Sequence, residues 1–431
     1  MKRVLWVCNI MPPAIGEILG VECSVKEGWI SGILEKMIEK EEEIILGICY
    51  PVLKKSYPGG RKIQLYSQRS QKKKNITCYE FEENTVKPQL YQAKELEEQI
   101  QKIIQDFSPD LLHIFGTEYG HALAAVKSFP QKQKILVGLQ GMVGECAKEY
   151  MADLPQNIQK RKTFRDVMKK DTLLDQQKKF FIRAKREEEI LKLTGCVTGR
   201  TLFDDETSKK INPKLIYYKM NETMRKEFYE GQWSLEHCNL HQIFFSQADY
   251  PLKGFHHMVK AAGSLKEKYP TLKIYVAGNS ITGYGTLKEK LKISAYGKYV
   301  RELIKKEDLE ENIIFLGKLS ADEMKRQYLN CHCYVCASSV ENSPNSLAEA
   351  MLLGVPVVAS NTGGIPSMVE DQKEGLLFQK GNPKALEECL EKLWENPSLS
   401  EQLAKAGKNR ASKVHDPEQN YKQLMEIYHQ M

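Results

Sequence analysis

A chain of 431 residues has room for two or three domains, each with its own buried core. Its 42% hydrophobic and 28% charged residues are ordinary for a globular protein, and no run of about 18 apolar residues is present to span a bilayer. The net charge of +7 excludes little, and nucleic acid is disfavoured because no helix-turn-helix, zinc-finger spacing or aromatic stacking motif accompanies the bases.

Met1-Lys2-Arg3 runs straight into an apolar strand at 4–8, without the apolar stretch and cleavage site of a secretory signal. Apolar spacing predicts a helix over 28–40, then a strand at 44–49. A polar, basic loop follows to about residue 75, with Lys54, Lys55, Arg61, Lys62, Lys72, Lys73 and Lys74. Residues 90–107 place Leu96, Ile100, Ile103, Ile104 and Phe107 on one helical face, and 111–115 and 135–139 read as buried strands. From about 145 to 194 the chain is charged and helical, and carries Lys160, Arg161, Lys162, Arg165, Lys169 and Lys170. Such bases usually mark solvated faces; the sharper expectation is contact with anionic lipid. Strands at 196–199 and 215–218 end this half.

A second series starts at His241. Strands at 243–246, 272–277, 313–316, 333–337, 356–359 and 375–378 alternate with helices, the first at 254–269. Alternation of short apolar strands with amphipathic helices predicts parallel, doubly wound sheets. The expected architecture is α/β: two Rossmann-like domains facing across a cleft, at 1–239 and 240–412, with 413–431 a helix returning to the first. Eleven scattered cysteines, an odd number, read as reduced thiols of a cytoplasmic protein. Cys331, Cys333 and Cys336 do not suit a metal, because strand alternation points the third away from the other two.

The most informative segment runs from Cys333 to Ser360. Its strand ends at Ser338-Ser339, Glu341 lies in the following loop, and Pro344 stands where a helix would begin. Gly354 closes that helix. The backbone N–H groups of Asn345, Ser346 and Leu347 are expected to be unpaired, which makes an anion seat. Glu349 lies about 6 Å further along the axis, at roughly 1.5 Å per residue. Carboxylate, anion seat and carboxylate in a row suit a sugar, a diphosphate and a ribose.

This series, in its order of motifs, resembles the family 4 retaining glycosyltransferases of the GT-B fold, of the bacterial polysaccharide-biosynthesis type. Glu341 and Glu349 fall on the family's paired glutamates, and Gly363-Gly364 on its glycine pair. Leu252-Lys253-Gly254 looks like the step that seats the diphosphate. Phe315-Leu316-Gly317-Lys318-Leu319 matches the nucleobase loop, and Gly278 ends a strand facing the donor. In the first half His113, Glu118 and His121 fall near the acceptor side, and Gly16 or Gly28 would approach the sugar phosphate.

The resemblance implies transfer of a sugar from a nucleotide-diphosphate donor, UDP-linked rather than GDP-linked, to a saccharide or lipid-linked saccharide in cell-surface polysaccharide synthesis. No bound cofactor and no metal are implied. Catalytic roles go to Glu341 and Lys253, with His113, Glu118 and His121 toward the acceptor; donor contacts go to Gly278, Gly317, Lys318, Leu319, Asn345, Ser346, Leu347, Glu349, Gly363 and Gly364. The protein would be cytoplasmic, peripheral at the inner face of the membrane through its basic stretches. One departure is Gln247, where many members carry a diphosphate-clamping arginine. A nucleotide-sugar epimerase or hydrolase on the same fold, and a non-catalytic partner subunit, are the alternatives. Absence of Asp-x-Asp argues against the metal-dependent GT-A arrangement, and absence of Gly-x4-Gly-Lys-Ser/Thr and Gly-x-Gly-x-x-Gly against P-loop enzymes and dehydrogenases.

Overall fold

A computed structural model describes residues 1–21, 28–40, 44–67, 70–283 and 292–431. The chain divides into two compact units. One comprises Met1–Gly144, Phe180–Arg225 and His415–Met431; the other comprises Glu145–Lys179 and Lys226–Val414.

The first unit is built on strands β1 (Lys2–Val7), β2 (Ile44–Val52), β3 (Arg61–Tyr66), β4 (Lys73–Glu82), β5 (Leu111–Phe115), β6 (Ile135–Gly138), β7 (Cys196–Gly199) and β8 (Ile216–Lys219). Their order is β3-β4-β2-β1-β5-β6-β7-β8, parallel except for the β3–β4 pair. The centre is apolar because helices cover both faces: every residue of β5, β6 and β7 is buried. The expected basic loop is instead the β3–β4 ribbon. Ile63, Leu65, Ile76 and Cys78 turn inward, while Arg61 and Lys62 stay exposed on the edge strand and discourage further pairing. The helix Pro417–Gln430 packs Tyr421, Leu424, Met425 and Tyr428 into the same core as Trp6, Ile30 and Leu34.

The second unit has β9 (Asn239–Phe245), β10 (Lys273–Val276), β11 (Ile313–Phe315), β12 (Cys331–Cys336), β13 (Val357–Asn361) and β14 (Leu376–Gln379). The sheet is parallel, in the order β11-β10-β9-β12-β13-β14. The chain winds outward from β9 in one direction and from β12 in the other, so the topological switch lies between these two strands. Ligands of such sheets sit outside the carboxyl ends at that point.

The sequence places 145–179 with the first domain, whereas the structure groups it with the second unit. Its attachments are polar and distant in sequence, and helical periodicity does not record them. His256 Nε2 donates to the Ala152 carbonyl at 2.8 Å, Ala295 N–H donates to Asp166 at 2.9 Å, and Arg161 pairs with Glu302 at 2.6 Å. Among the described residues no helix is long and apolar enough to cross a membrane.

Candidate active site

At the end of β9 the turn Pro251–Lys253 delivers Lys253, and Gly254 then opens the helix Phe255–Leu265. Gly254 has φ +67°, and a Cβ there would run into the Ala337 carbonyl. Glycine is therefore needed twice over, for the left-handed backbone and for the close approach. Ser339 N–H donates to the Leu252 carbonyl at 2.8 Å, which fastens this turn to the end of β12. The fastening brings Lys253 Nζ to 2.6 Å from Glu341 Oε1, and Ser338 Oγ donates to the same oxygen at 2.7 Å. Burial lowers the proton affinity of Lys253, but the Glu341 carboxylate and Tyr250 outweigh it and hold the ammonium well above its usual value. A fixed cation thus stands at the switch point.

The helix Asn345–Leu352 follows, with Pro344 as its N-cap. Pro344 lies just outside the helix rather than in its first turn. Its carbonyl accepts from Leu347 N–H at 3.0 Å and from Ala348 N–H at 3.3 Å. Leu347 is therefore not a free donor as the sequence reading expects, and the amides of Asn345 and Ser346 open the helix. Tyr334, buried on β12, donates its hydroxyl to Ser346 Oγ at 2.7 Å and lies 2.9 Å from Ser246 Oγ. Tyr328 OH donates to the Ser346 carbonyl at 2.8 Å. One tyrosine thus ties the ends of β9 and β12 to the helix start. Sequence reasoning passed over Tyr334, Ser246 and Ser338. A tyrosine in a buried strand, whose hydroxyl must find a partner, was the available signal.

Glu349 is buried on this helix, 5% exposed. Gly363 has φ +53° and lies so close to the Glu341 backbone that a Cβ would meet its carbonyl; Gly364 N–H donates to that carbonyl at 2.9 Å. Gly278 N–H donates to the Gly317 carbonyl at 2.8 Å, and both have positive φ, +96° and +77°. Lys318 is exposed and Leu319 half-buried just beyond. Gln247, in the place of the expected arginine, is bonded to Asp249 at 3.1 Å.

In the first unit His113 lies mid-strand, fully buried, with Nδ1 2.6 Å from Tyr428 OH. Trp6 Nε1 donates to that hydroxyl at 2.8 Å. Indole can only donate, so the tyrosine proton is free for His113 Nδ1. Burial pushes the imidazole down to about 3. His121 is also buried, with Nδ1 2.5 Å from Glu83 Oε2, and its ring stacks on Tyr119. Glu118 is half-buried; desolvation raises its carboxyl, partly offset by a backbone hydrogen bond, Arg183 and His121. Gly16 lies buried in the helix Pro13–Leu19, and Gly28 begins the helix Gly28–Glu39.

Residues 236–410 match the family model for glycosyl transferases group 1. Among curated relatives, an uncharacterised glycosyltransferase of Haemophilus influenzae is 28% identical over 156 residues, 36% of this chain and 40% of the relative. The Arabidopsis thaliana sulfoquinovosyl transferase is 37% identical over 93 residues, 20% and 18% of the two chains. The amylovoran biosynthesis glycosyltransferase of Erwinia amylovora is 29% identical over 154 residues, 34% and 36%. The chain thus spans two-fifths or less of these relatives. Solved structures align along its whole length. Sucrose-phosphate synthase from Thermosynechococcus elongatus gives a TM-score of 0.66 at 14% identity, covering 100% of this chain and 99% of that one. Anabaena HepE in complex with UDP and glucose gives 0.66 at 15%, covering 100% of both. The fold is GT-B, with two parallel-sheet α/β domains.

Proposed function

We propose that the chain is a retaining glycosyltransferase of family 4 type, taking a UDP-sugar donor and a saccharide or lipid-linked saccharide acceptor in cell-surface polysaccharide synthesis. The observation that carries this reading is the Lys253–Glu341 pair at the switch point, beside the open helix start at Asn345 and Ser346. The group 1 match over the same residues supports it. So does HepE, which was solved with UDP and with UDP-glucose.

In the reaction the acceptor oxygen bonds to the anomeric carbon as the bond from that carbon to the diphosphate breaks, and the acceptor proton passes to the departing phosphate. Negative charge grows on the diphosphate. Lys253, the Asn345 and Ser346 amides and the loop at Gly363 would meet it electrostatically. The donor phosphates would draw Lys253 from Glu341 and free that carboxylate for hydroxyls of the transferred sugar. Glu349 would take the ribose, and the loop at Gly317, Lys318 and Leu319 the base. No bound cofactor enters this chemistry. His113, with its low proton affinity, would orient rather than accept protons.

The experiment is a transfer assay with UDP-sugar donors, run with and without a saccharide acceptor. Glu341→Ala and Lys253→Ala should each lower transfer by about a thousandfold or more while the thermal midpoint stays within a few degrees. Full activity in either variant would refute the site. Donor consumption that ignores the acceptor would point instead to an epimerase or hydrolase.

A further inference from the structure

Ser346 is only half-buried, yet two fully buried tyrosines hold it. Tyr328 OH donates to its carbonyl at 2.8 Å, and Tyr334 OH donates to its Oγ at 2.7 Å. A half-exposed serine needs no such support for folding, because water satisfies its hydroxyl. The direction of the hydrogens shows what the support does. Burial, helped by Cys336, keeps the Tyr334 phenol protonated, so it has one hydrogen, and that hydrogen goes to Ser346. Ser246 Oγ lies 2.9 Å from the same phenol oxygen and must therefore be the donor in that contact. The hydrogen bonds run one way, from Ser246 to Tyr334 to Ser346.

The end of this relay is the hydrogen of the Ser346 hydroxyl, and among the described residues no acceptor takes it. A hydroxyl that accepts one hydrogen bond is polarised into a better donor of the next. The charge of Lys253 also acts on the Tyr334 hydroxyl, so the relay and the fixed cation belong to one neighbourhood. Ser346 opens the helix Asn345–Leu352 with its amide, and the amide and hydroxyl of one residue can meet the same anion.

We propose that Ser346 binds a phosphate of the donor through its hydroxyl as well as its amide, and that Tyr334, with Ser246 behind it, is the positioning residue that aims this hydroxyl. The proposal rests on the diphosphate reading of the site and deepens it. The seat recognises phosphate through a side chain in addition to the backbone, and the same hydroxyl donates to the charge that grows as the diphosphate departs.

Calorimetric titration with UDP, and with uridine as the phosphate-free probe, tests it. Ser346→Ala should weaken UDP by about tenfold or more and leave uridine unchanged. Its thermal midpoint should stay within a few degrees of wild type, because the side chain is half-exposed. Tyr334→Phe keeps the ring and should weaken UDP by about fivefold, again without effect on uridine. The double variant should bind UDP no more weakly than Ser346→Ala, because the tyrosine acts only through that hydroxyl. A tyrosine that merely supported the fold would add its own loss to that of the serine. Equal UDP affinity in Ser346→Ala and wild type would overturn the proposal, as would additive losses in the double variant or a parallel loss of uridine. Wild-type protein that binds no UDP would refute the donor reading itself, and this proposal with it.

Discussion

Gly254 and Gly317 both hold a left-handed backbone in the second unit, at φ +67° and +77°, yet their surroundings separate them. Around a Cβ on Gly317 no atom lies within 4 Å, so Gly317→Ala should cost only backbone strain, about 1 kcal/mol. A Cβ on Gly254 would strike the Ala337 carbonyl, part of the turn that aims Lys253 at Glu341. Gly254→Ala should therefore cost about 3 kcal/mol or more and weaken UDP binding by over tenfold. Thermal unfolding and UDP titration of the two variants side by side check the contrast, and equal effects would contradict it. The local pattern here was legible because Glu341, Pro344 and Gly354 each follow a rule of strand end, helix start or helix stop, and helical rise then places Glu349. The Ser246–Tyr334–Ser346 tie was not, because residues 88 and 12 apart meet only once the sheet exists.

Among elements, the parallel strands were legible wherever the sequence is continuously apolar, as in β5, β6 and β12. The β3–β4 ribbon was hidden because lysine and arginine occupy the outward half of its alternation and swamp the inward Ile63, Leu65 and Ile76. The allegiance of 145–179 was hidden for a related reason: its anchors, His256 to Ala152 and Asp166 to Ala295, are single polar contacts across more than 100 residues of sequence. The C-terminal helix yields a sharper test. Tyr428→Phe keeps the ring but removes the hydroxyl shared by Trp6 Nε1 and His113 Nδ1, both buried. Each orphaned group costs about 1–3 kcal/mol. The expected outcome is a lower unfolding midpoint of the first unit, with the UDP affinity of the second unaltered. An unchanged midpoint would show that the hydroxyl does not matter there.

Taken as a whole molecule, the protein carries a pH dependence whose sign follows from its buried histidines. Burial pushes His257 and His332 down to about 4, and His256 well below the ordinary 6.5; a neighbouring group, Lys260 for His257 and the His241 ring for His332, adds to the effect. All three lie in the second unit. A histidine whose folded value is depressed is neutral in the fold and takes a proton on unfolding. Its contribution is complete above 6.5 and is lost as pH falls toward 4, at about 1.4 kcal/mol per pH unit for each proton. The first unit holds two such residues, His113 at about 3 and His415 at about 4. It also holds Glu187, which burial raises to about 7, and Glu118, raised likewise. A carboxyl raised in the fold acts in the opposite sense, contributing below 4.5 and losing that contribution as pH rises through its folded value. The two effects partly cancel in the first unit and not in the second. Calorimetry between about pH 7 and pH 5 should show the second unit's transition, identified by its upward shift with UDP, falling faster than the first. His332→Gln should flatten that fall. Parallel pH slopes for the two transitions would mean that the buried rings do not govern acid stability.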